Sequence, residues 1–270
     1  MRVGFFQFAP QFGARAANLA KVESALTGAT ADLVVLPELC NTGYCFGSRT
    51  ELSGLAEDPI KGPTVTRLQR LADRTGIAIV AGLAERDGAV GSPGLFNSAV
   101  LLAPGRPTPL LTYRKVHLFG REKELFDPGD RPPAIAAFKG VKVGLEVCFD
   151  HFFPELTRTM ALQGVQLICH PANLVLHYAQ QTTVTRALEN GIFWVLCNRI
   201  GTETRIEQAL TFTGRSQIVA PRGQILVAAG CEEEVIKIVD IDPGLAADKE
   251  IFTNNDLLKD RRPELYDTGG

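Results

Sequence analysis

The 270-residue chain is 45% hydrophobic and 21% charged, ample apolar material for a sizeable buried core. Its formal net charge of -2 gives no reason to expect nucleic acid or an anionic membrane as partner. Apolar runs fall far short of the ~20 residues that cross a bilayer, and the first residues enter a strand pattern instead of a signal-peptide core. A cytoplasmic protein is expected. Its six cysteines, at 40, 45, 148, 169, 197 and 231, are then expected to stay unpaired.

In chain order, residues 2–8 read as a strand and residues 16–26 carry helical spacing. Residues 32–36 form a short apolar strand that stops at Pro37-Glu38. An amphipathic helix is predicted over 65–74, closing near Gly76, followed by strands at 77–84 and 98–102 with a Gly/Pro-rich connection between them. Residues 141–147 alternate as a half-buried strand does and halt at Cys148. A helix over 154–163 starts on Pro154, where the missing N–H costs nothing. Then come a strand at 166–169, a helix at about 179–190, and strands at 193–198, 216–219, 225–228 and 234–240. Pro221-Arg222-Gly223-Gln224 has the composition of a hairpin turn.

Strands that alternate with helices early and pair as hairpins late imply an α/β fold, a mixed sheet covered by helices. Residues 33–36 and 193–197 are apolar on both sides, as strands buried on both faces are. No linker, low-complexity tract or repeat period divides the chain, so one domain over 1–270 is expected.

Three polar residues sit at or near the ends of strand-like runs: Glu38, Lys115 and Cys148. Loops at strand ends are where α/β folds build sites. A carboxylate can take a thiol proton, and an ammonium can stabilise a thiolate and a developing oxyanion. Each also has an ordinary explanation: core filler for the cysteine, a loop acid for Glu38, an edge lysine for Lys115. Periodicity does not make the three converge. Two rivals remain at this level. One is a zinc module from Cys40, Cys45, Cys169 and His170, with loose spacing. The other is a Cys–His hydrolase pairing Cys148 with His117 or His170, which leaves Glu38 and Lys115 without roles.

The sequences around the three residues go further. Leu36-Pro37-Glu38, the run from Tyr113 through Lys115 to Phe119, and Glu146-Val147-Cys148-Phe149-Asp150 resemble the signature blocks of the nitrilase superfamily of carbon–nitrogen hydrolases. Further matches include Asn41-Thr42-Gly43-Tyr44, His170-Pro171-Ala172-Asn173 and Arg186-Ala187-Leu188-Glu189-Asn190, so the resemblance covers nearly the whole chain. It implies a four-layer α-β-β-α sandwich assembled as a homodimer or higher homo-oligomer. Glu38 would be the general base, Lys115 the electrostatic partner and Cys148 the nucleophile. The family's second glutamate falls seven residues after the lysine, at Glu122, with Glu124 beside it. Tyr44, Phe149 and Asn173 are the pocket residues by family position. No metal or organic cofactor is called for. A non-catalytic protein on the same fold would be expected to carry a degraded triad, and all three members are present.

The stretch Phe149-Asp150-His151-Phe152-Phe153-Pro154 lacks the arginine with which relatives that bind a substrate carboxylate clamp it. Phe149-Asp150 is also closer to amidases than the Trp-Glu of many nitrile specialists. The expected reaction is hydrolysis of a small, neutral primary amide to acid and ammonia through a cysteine thioester. A nitrilase acting on a small aliphatic nitrile and an N-carbamoyl amine hydrolase are the alternatives. Residues 190–198 and the tail 252–270 are the expected subunit contacts.

Overall fold

The computed structural model describes residues 1–88, 93–207 and 209–266. The first part of the chain comprises β1 (Arg2–Gln7), α1 (Arg15–Leu26), β2 (Leu33–Val35), α2 (Arg49–Leu55), α3 (Pro63–Thr75), β3 (Ala78–Arg86), β4 (Leu95–Leu102), β5 (Leu111–Arg114) and α4 (Glu122–Leu125). The second part follows with β6 (Ile135–Phe138), β7 (Val141–Leu145), a 3-10 turn at Cys148–Phe152, α5 (Pro154–Leu162), β8 (Leu167–Ala172), α6 (Ala179–Asn190) and β9 (Phe193–Asn198). A two-strand ribbon of β10 (Thr202–Glu203) and β11 (Leu210–Thr211) precedes the hairpin β12 (Gln217–Val219) and β13 (Ile225–Ala228), then β14 (Val235–Asp240). A ribbon of β15 (Glu250–Phe252) with β16 (Asn255–Asp256) and the short α7 (Pro263–Tyr266) close it.

The long strands build two six-stranded sheets, in the orders β14-β1-β2-β3-β4-β5 and β13-β12-β9-β8-β7-β6. Each has three parallel strands at its centre, β1-β2-β3 and β7-β8-β9, flanked by antiparallel ones. With a side-chain period of two, these central strands send successive residues alternately toward the helices and toward the other sheet. Val34, Leu36 and Ile79 pack with Leu19, Val22, Leu68 and Leu71 of α1 and α3. Their neighbours Leu33, Val35 and Val80 join Leu145, Cys169 and Val195 between the sheets. On the far side α5 and α6 add Leu156, Met160 and Ala187. The result is an α-β-β-α sandwich, the expected fold.

The element boundaries follow local chemistry. Pro63 starts α3 and Gly76, at φ 73, ends it in the left-handed conformation that glycine adopts without penalty. The turn predicted at 221–224 joins β12 to β13. Of the connection predicted between β3 and β4, residues 89–92 lie outside the described residues. The proposed contact at 190–198 is corrected: β9 is paired on both sides, by β8 and β12, and Asn190 to Asn198 are all buried, leaving no free face for a second subunit. The described part of the tail is open, with Phe252 74% and Leu265 68% exposed; residues 267–270 lie outside the described residues. No helix among the described residues is long and apolar enough to cross a membrane.

One acid is locked into the second half of the core. Glu146, just past β7, is fully buried; its Oε1 accepts from Thr157 Oγ1 at 2.6 Å and its Oε2 has no partner among the described residues. Burial raises its pKa to about 8, with Asp150 pushing further up and Thr157 and Arg186 pulling down. A raised carboxyl contributes stability that is whole below the ordinary pKa of 4.5 and is lost as the pH rises through about 8. Glu146→Gln keeps the acceptor for Thr157 and removes the proton. Thermal unfolding at several pH values is expected to show the wild type losing stability between about pH 5 and pH 8 relative to Glu146→Gln, with the gap widest on the alkaline side.

Candidate active site

Four chain segments converge at one end of the two sheets. Past β2 the chain makes a sharp bend, Leu36-Pro37-Glu38-Leu39, with Leu39 at φ 49. Gly82 of β3 lies against it: a Cβ there would stand 2.5 Å from Glu38 Cα and 2.8 Å from Leu39 N. Past β5, Lys115 is pinned by its own backbone, its N–H donating to Asn97 O at 2.7 Å and its carbonyl accepting from Gly129 N at 2.8 Å. Past β7, Cys148 enters the 3-10 turn at φ 47, a strained value for a residue with a Cβ. Glu122 opens α4 and turns inward.

Lys115 and Glu38 are wholly buried, and Glu122 and Cys148 nearly so. Lys115 Nζ donates to Glu38 Oε1 at 2.9 Å and to Glu122 Oε1 at 2.8 Å. Asn97 Nδ2 also donates to Glu38 Oε1, at 2.6 Å, which leaves Glu38 Oε2 buried without a partner among the described residues. Glu122 accepts from the Tyr44 hydroxyl at 2.7 Å and from the Phe119 N–H at 3.1 Å. Of the two acids left open by the sequence, Glu122 reaches Lys115, whereas Glu124 points to solvent beside Arg121.

Burial and charge set the protonation states. Burial works against the Lys115 ammonium, but Glu122, Glu38 and Cys148 outweigh it and hold its pKa well above the ordinary lysine value. The Cys148 thiol is driven well above its usual range by burial and then by Glu38; Lys115 and the Asn173 N–H pull the other way and lose. Glu122 is raised by burial, with Lys115 opposing and Glu38 adding. The resting site is therefore a neutral thiol beside an ammonium shared by two carboxyls.

The turn that carries Cys148 is anchored by Asp150. Its Oδ2 accepts from Tyr113 Oη at 2.7 Å and from Val147 N at 3.1 Å, and its Oδ1 takes the His117 N–H at 3.0 Å and faces His117 Nδ1 at 2.9 Å. Arg186 on α6 donates to the carbonyls of His151 and Phe152. Neither rival donor set forms. His170 Nε2 faces the Cys148 carbonyl and His117 pairs with Asp150. No group of three potential metal ligands gathers among the described residues.

A cavity of about 670 Å³ opens beside Tyr44 and Glu122, walled by Phe46, Phe119, Phe126 and Leu210. A recess of about 20 Å³ touches Cys148, Phe149, Phe152, Asn173 and Leu174, with Phe119 bordering both spaces. The three pocket residues expected from the sequence fall here. Tyr44 lines the larger space; Phe149 packs tilted on Phe119 at 5.2 Å in the recess. The buried amide of Asn173 has both polar atoms unpartnered among the described residues. Asn97 and Asp150 were missed by the sequence reading. A polar Asn97-Ser98 pair inside an apolar strand was the available signal for the first.

A family model described as carbon–nitrogen hydrolase matches residues 2–249. A nitrilase of Pyrococcus abyssi is 42% identical over 98% of this chain and 99% of its own length. An (R)-stereoselective amidase of a Pseudomonas species is 33% identical, covering 97% of this chain and 92% of its own. Among solved structures, an amidase from Nesterenkonia sp. matches with a TM-score of 0.78 and 30% identity, over 98% of this chain and 94% of that one. A mutant of that amidase carries acrylamide joined by Michael addition at its active-site cysteine.

The close approach at Gly82 yields a test of how Glu38 is held. Gly82→Ala forces the added methyl into the Glu38 backbone, an overpacking cost of about 1–3 kcal/mol. Denaturant unfolding is expected to register that loss, and turnover is expected to fall as well in the variant that remains folded, because the displaced backbone carries the Glu38 side chain.

Proposed function

Since the chain belongs to the carbon–nitrogen hydrolase family, we propose that it cleaves a small, neutral primary amide to the acid and ammonia through a thioester on Cys148. The observation that carries this reading is the buried cluster in which Glu38 keeps one oxygen unengaged while Lys115 occupies the other. Glu38 takes the thiol proton as the sulfur attacks the amide carbon, and the carbonyl electron pair moves to oxygen. The Lys115 ammonium and the Phe149 N–H hold that oxyanion; one such donor is typically worth about 3–4 kcal/mol. Collapse expels ammonia, which leaves with the proton from Glu38. Water then attacks the thioester, giving up a proton to a carboxylate, and the acid departs as the thiol re-forms. A thiol held neutral at rest makes the base necessary to the attack.

Glu122 keeps Lys115 charged and aimed, and itself borders the larger cavity with Tyr44. The recess at Cys148 is walled by Phe149, Phe152, Leu174, Val175 and Leu176, which suits an uncharged acyl group. The unpaired amide of Asn173 supplies a donor and an acceptor for the substrate there. Residues 1–270 act as one catalytic unit with no metal or organic cofactor. The protein works in the cytoplasm as a homodimer or larger homo-oligomer, with the exposed Phe252, Leu265 and Tyr266 of the tail 252–270 at the subunit contact.

A nitrile substrate is the second reading, favoured by the Pyrococcus abyssi relative named a nitrilase. Ammonia release and acid formation from propionamide and propionitrile, side by side, separate the two. The amide is expected to turn over, and acid from the nitrile with no turnover of the amide would reverse the assignment. Cys148→Ala is expected to abolish both reactions with the fold intact; near-normal activity in that variant removes the nucleophile.

A further inference from the structure

The carbonyl oxygen of Cys148 is gripped by two histidines that the proposed mechanism does not use. His151 Nδ1 hydrogen-bonds it from within the same turn, and His170 Nε2, from β8, reaches it at 2.9 Å. Behind His170, the Trp194 Nε1–H donates to His170 Nδ1 at 3.2 Å, with the two rings edge to face. That bond makes Nδ1 the acceptor, so the ring proton sits on Nε2 and points at the Cys148 carbonyl. Both imidazoles are fully buried. Burial holds His151 near a pKa of about 4, and burial followed by His151 holds His170 well below the ordinary value, so each is neutral and carries one N–H.

The consequence lies on the other side of the same peptide unit. The bond between Cys148 and Phe149 is trans, and a planar trans peptide aims its carbonyl and the following N–H in opposite directions. An oxygen fixed toward the histidines fixes the Phe149 N–H away from them. No acceptor engages that N–H among the described residues. Donors on the carbonyl also polarise the peptide and sharpen its N–H as a donor. We propose that His170, oriented by Trp194 and assisted by His151, is a positioning residue that aims the backbone N–H of Phe149 at the oxyanion of the tetrahedral intermediate. It rests on the reading of Cys148 as nucleophile, and acts through that residue's backbone without touching substrate.

Two reagents separate positioning from general damage. p-Nitrophenyl acetate acylates a thiol through a tetrahedral oxyanion: the sulfur–carbon bond forms, p-nitrophenolate leaves, and the thiol proton passes to the base. Iodoacetamide alkylates by direct displacement of iodide, with no oxyanion. His170→Phe is expected to slow acylation about ten- to a hundredfold while alkylation stays within about twofold of wild type. His170→Gln, which can restore a donor, is expected to recover most of the loss. Trp194→Phe, which frees the tautomer, is expected to give a smaller loss with the same selectivity, and it carries the test if His170→Phe does not fold. Unchanged acylation in a folded variant, or equal loss of both reactions, overturns the proposal. Mass analysis of the wild type keeps its failure distinct from that of the mechanism. An acetyl adduct at Cys148 upholds the nucleophile, and an adduct absent there with both reagents overturns the nucleophile and this proposal together.

Discussion

An ammonium group with no access to water dictates the arrangement of everything around it. Lys115 is fully buried, and removing its charge from solvent costs several kcal/mol unless partners return the loss. Two carboxyls do so, from opposite directions in the sequence: Glu38 at the end of β2 and Glu122 at the start of α4. Each of those is held in turn, by Asn97 on one oxygen of Glu38 and by Tyr44 and the Phe119 N–H on Glu122. Breaking such a set by removing one partner costs about 3–5 kcal/mol, because a charge is left buried alone. The loop paths past β2 and β5, the bend at Leu39 and the close packing on Gly82 all serve this requirement.

The same electrostatics sets the resting chemistry. With two carboxyls and one ammonium at hand, the field at Cys148 disfavours a second anion, and burial adds to it. Cys148 therefore rests as a thiol. A thiol is a poor target for adventitious oxidants and electrophiles, since the thiolate is the reactive form. In the proposed reaction Glu38 gives the thiol proton a destination, while Lys115 and the Phe149 N–H partner the new oxyanion.

The layers were legible in the sequence because burial on both faces leaves a distinct mark. β2 is apolar throughout, and β3, β8 and β9 carry consecutive runs without a polar side chain at 78–84, 167–169 and 193–197, as strands covered on two sides do. The run 193–197, read in this way as a doubly buried strand, is a central strand, which is why the subunit contact expected at 190–198 does not hold. Helix α2 escaped notice because its seven residues are mostly polar and bury only Leu52. Asn97 was lost because β4 begins three residues before the apolar pattern becomes regular. Convergence of Glu38, Lys115 and Cys148 had no local signature, since they come from the ends of strands in two different sheets; the family blocks supplied it. Glu122 and Glu124 share one short helix, and only the direction in which each side chain leaves the helix tells them apart.

Asp150 has a mechanical meaning beyond the turn it caps. One carboxylate takes Tyr113 and His117, which bracket Lys115 on the first sheet, and Val147, which precedes Cys148 on the second. Apolar contacts between the stacked sheets are non-directional and tie no particular pair of atoms together against slippage. Hydrogen bonds are directional and resist such slippage. Asp150 therefore works as a rivet through both plates at the point where their loops meet, so thermal shear elsewhere in the sandwich leaves the lysine and the thiol travelling together.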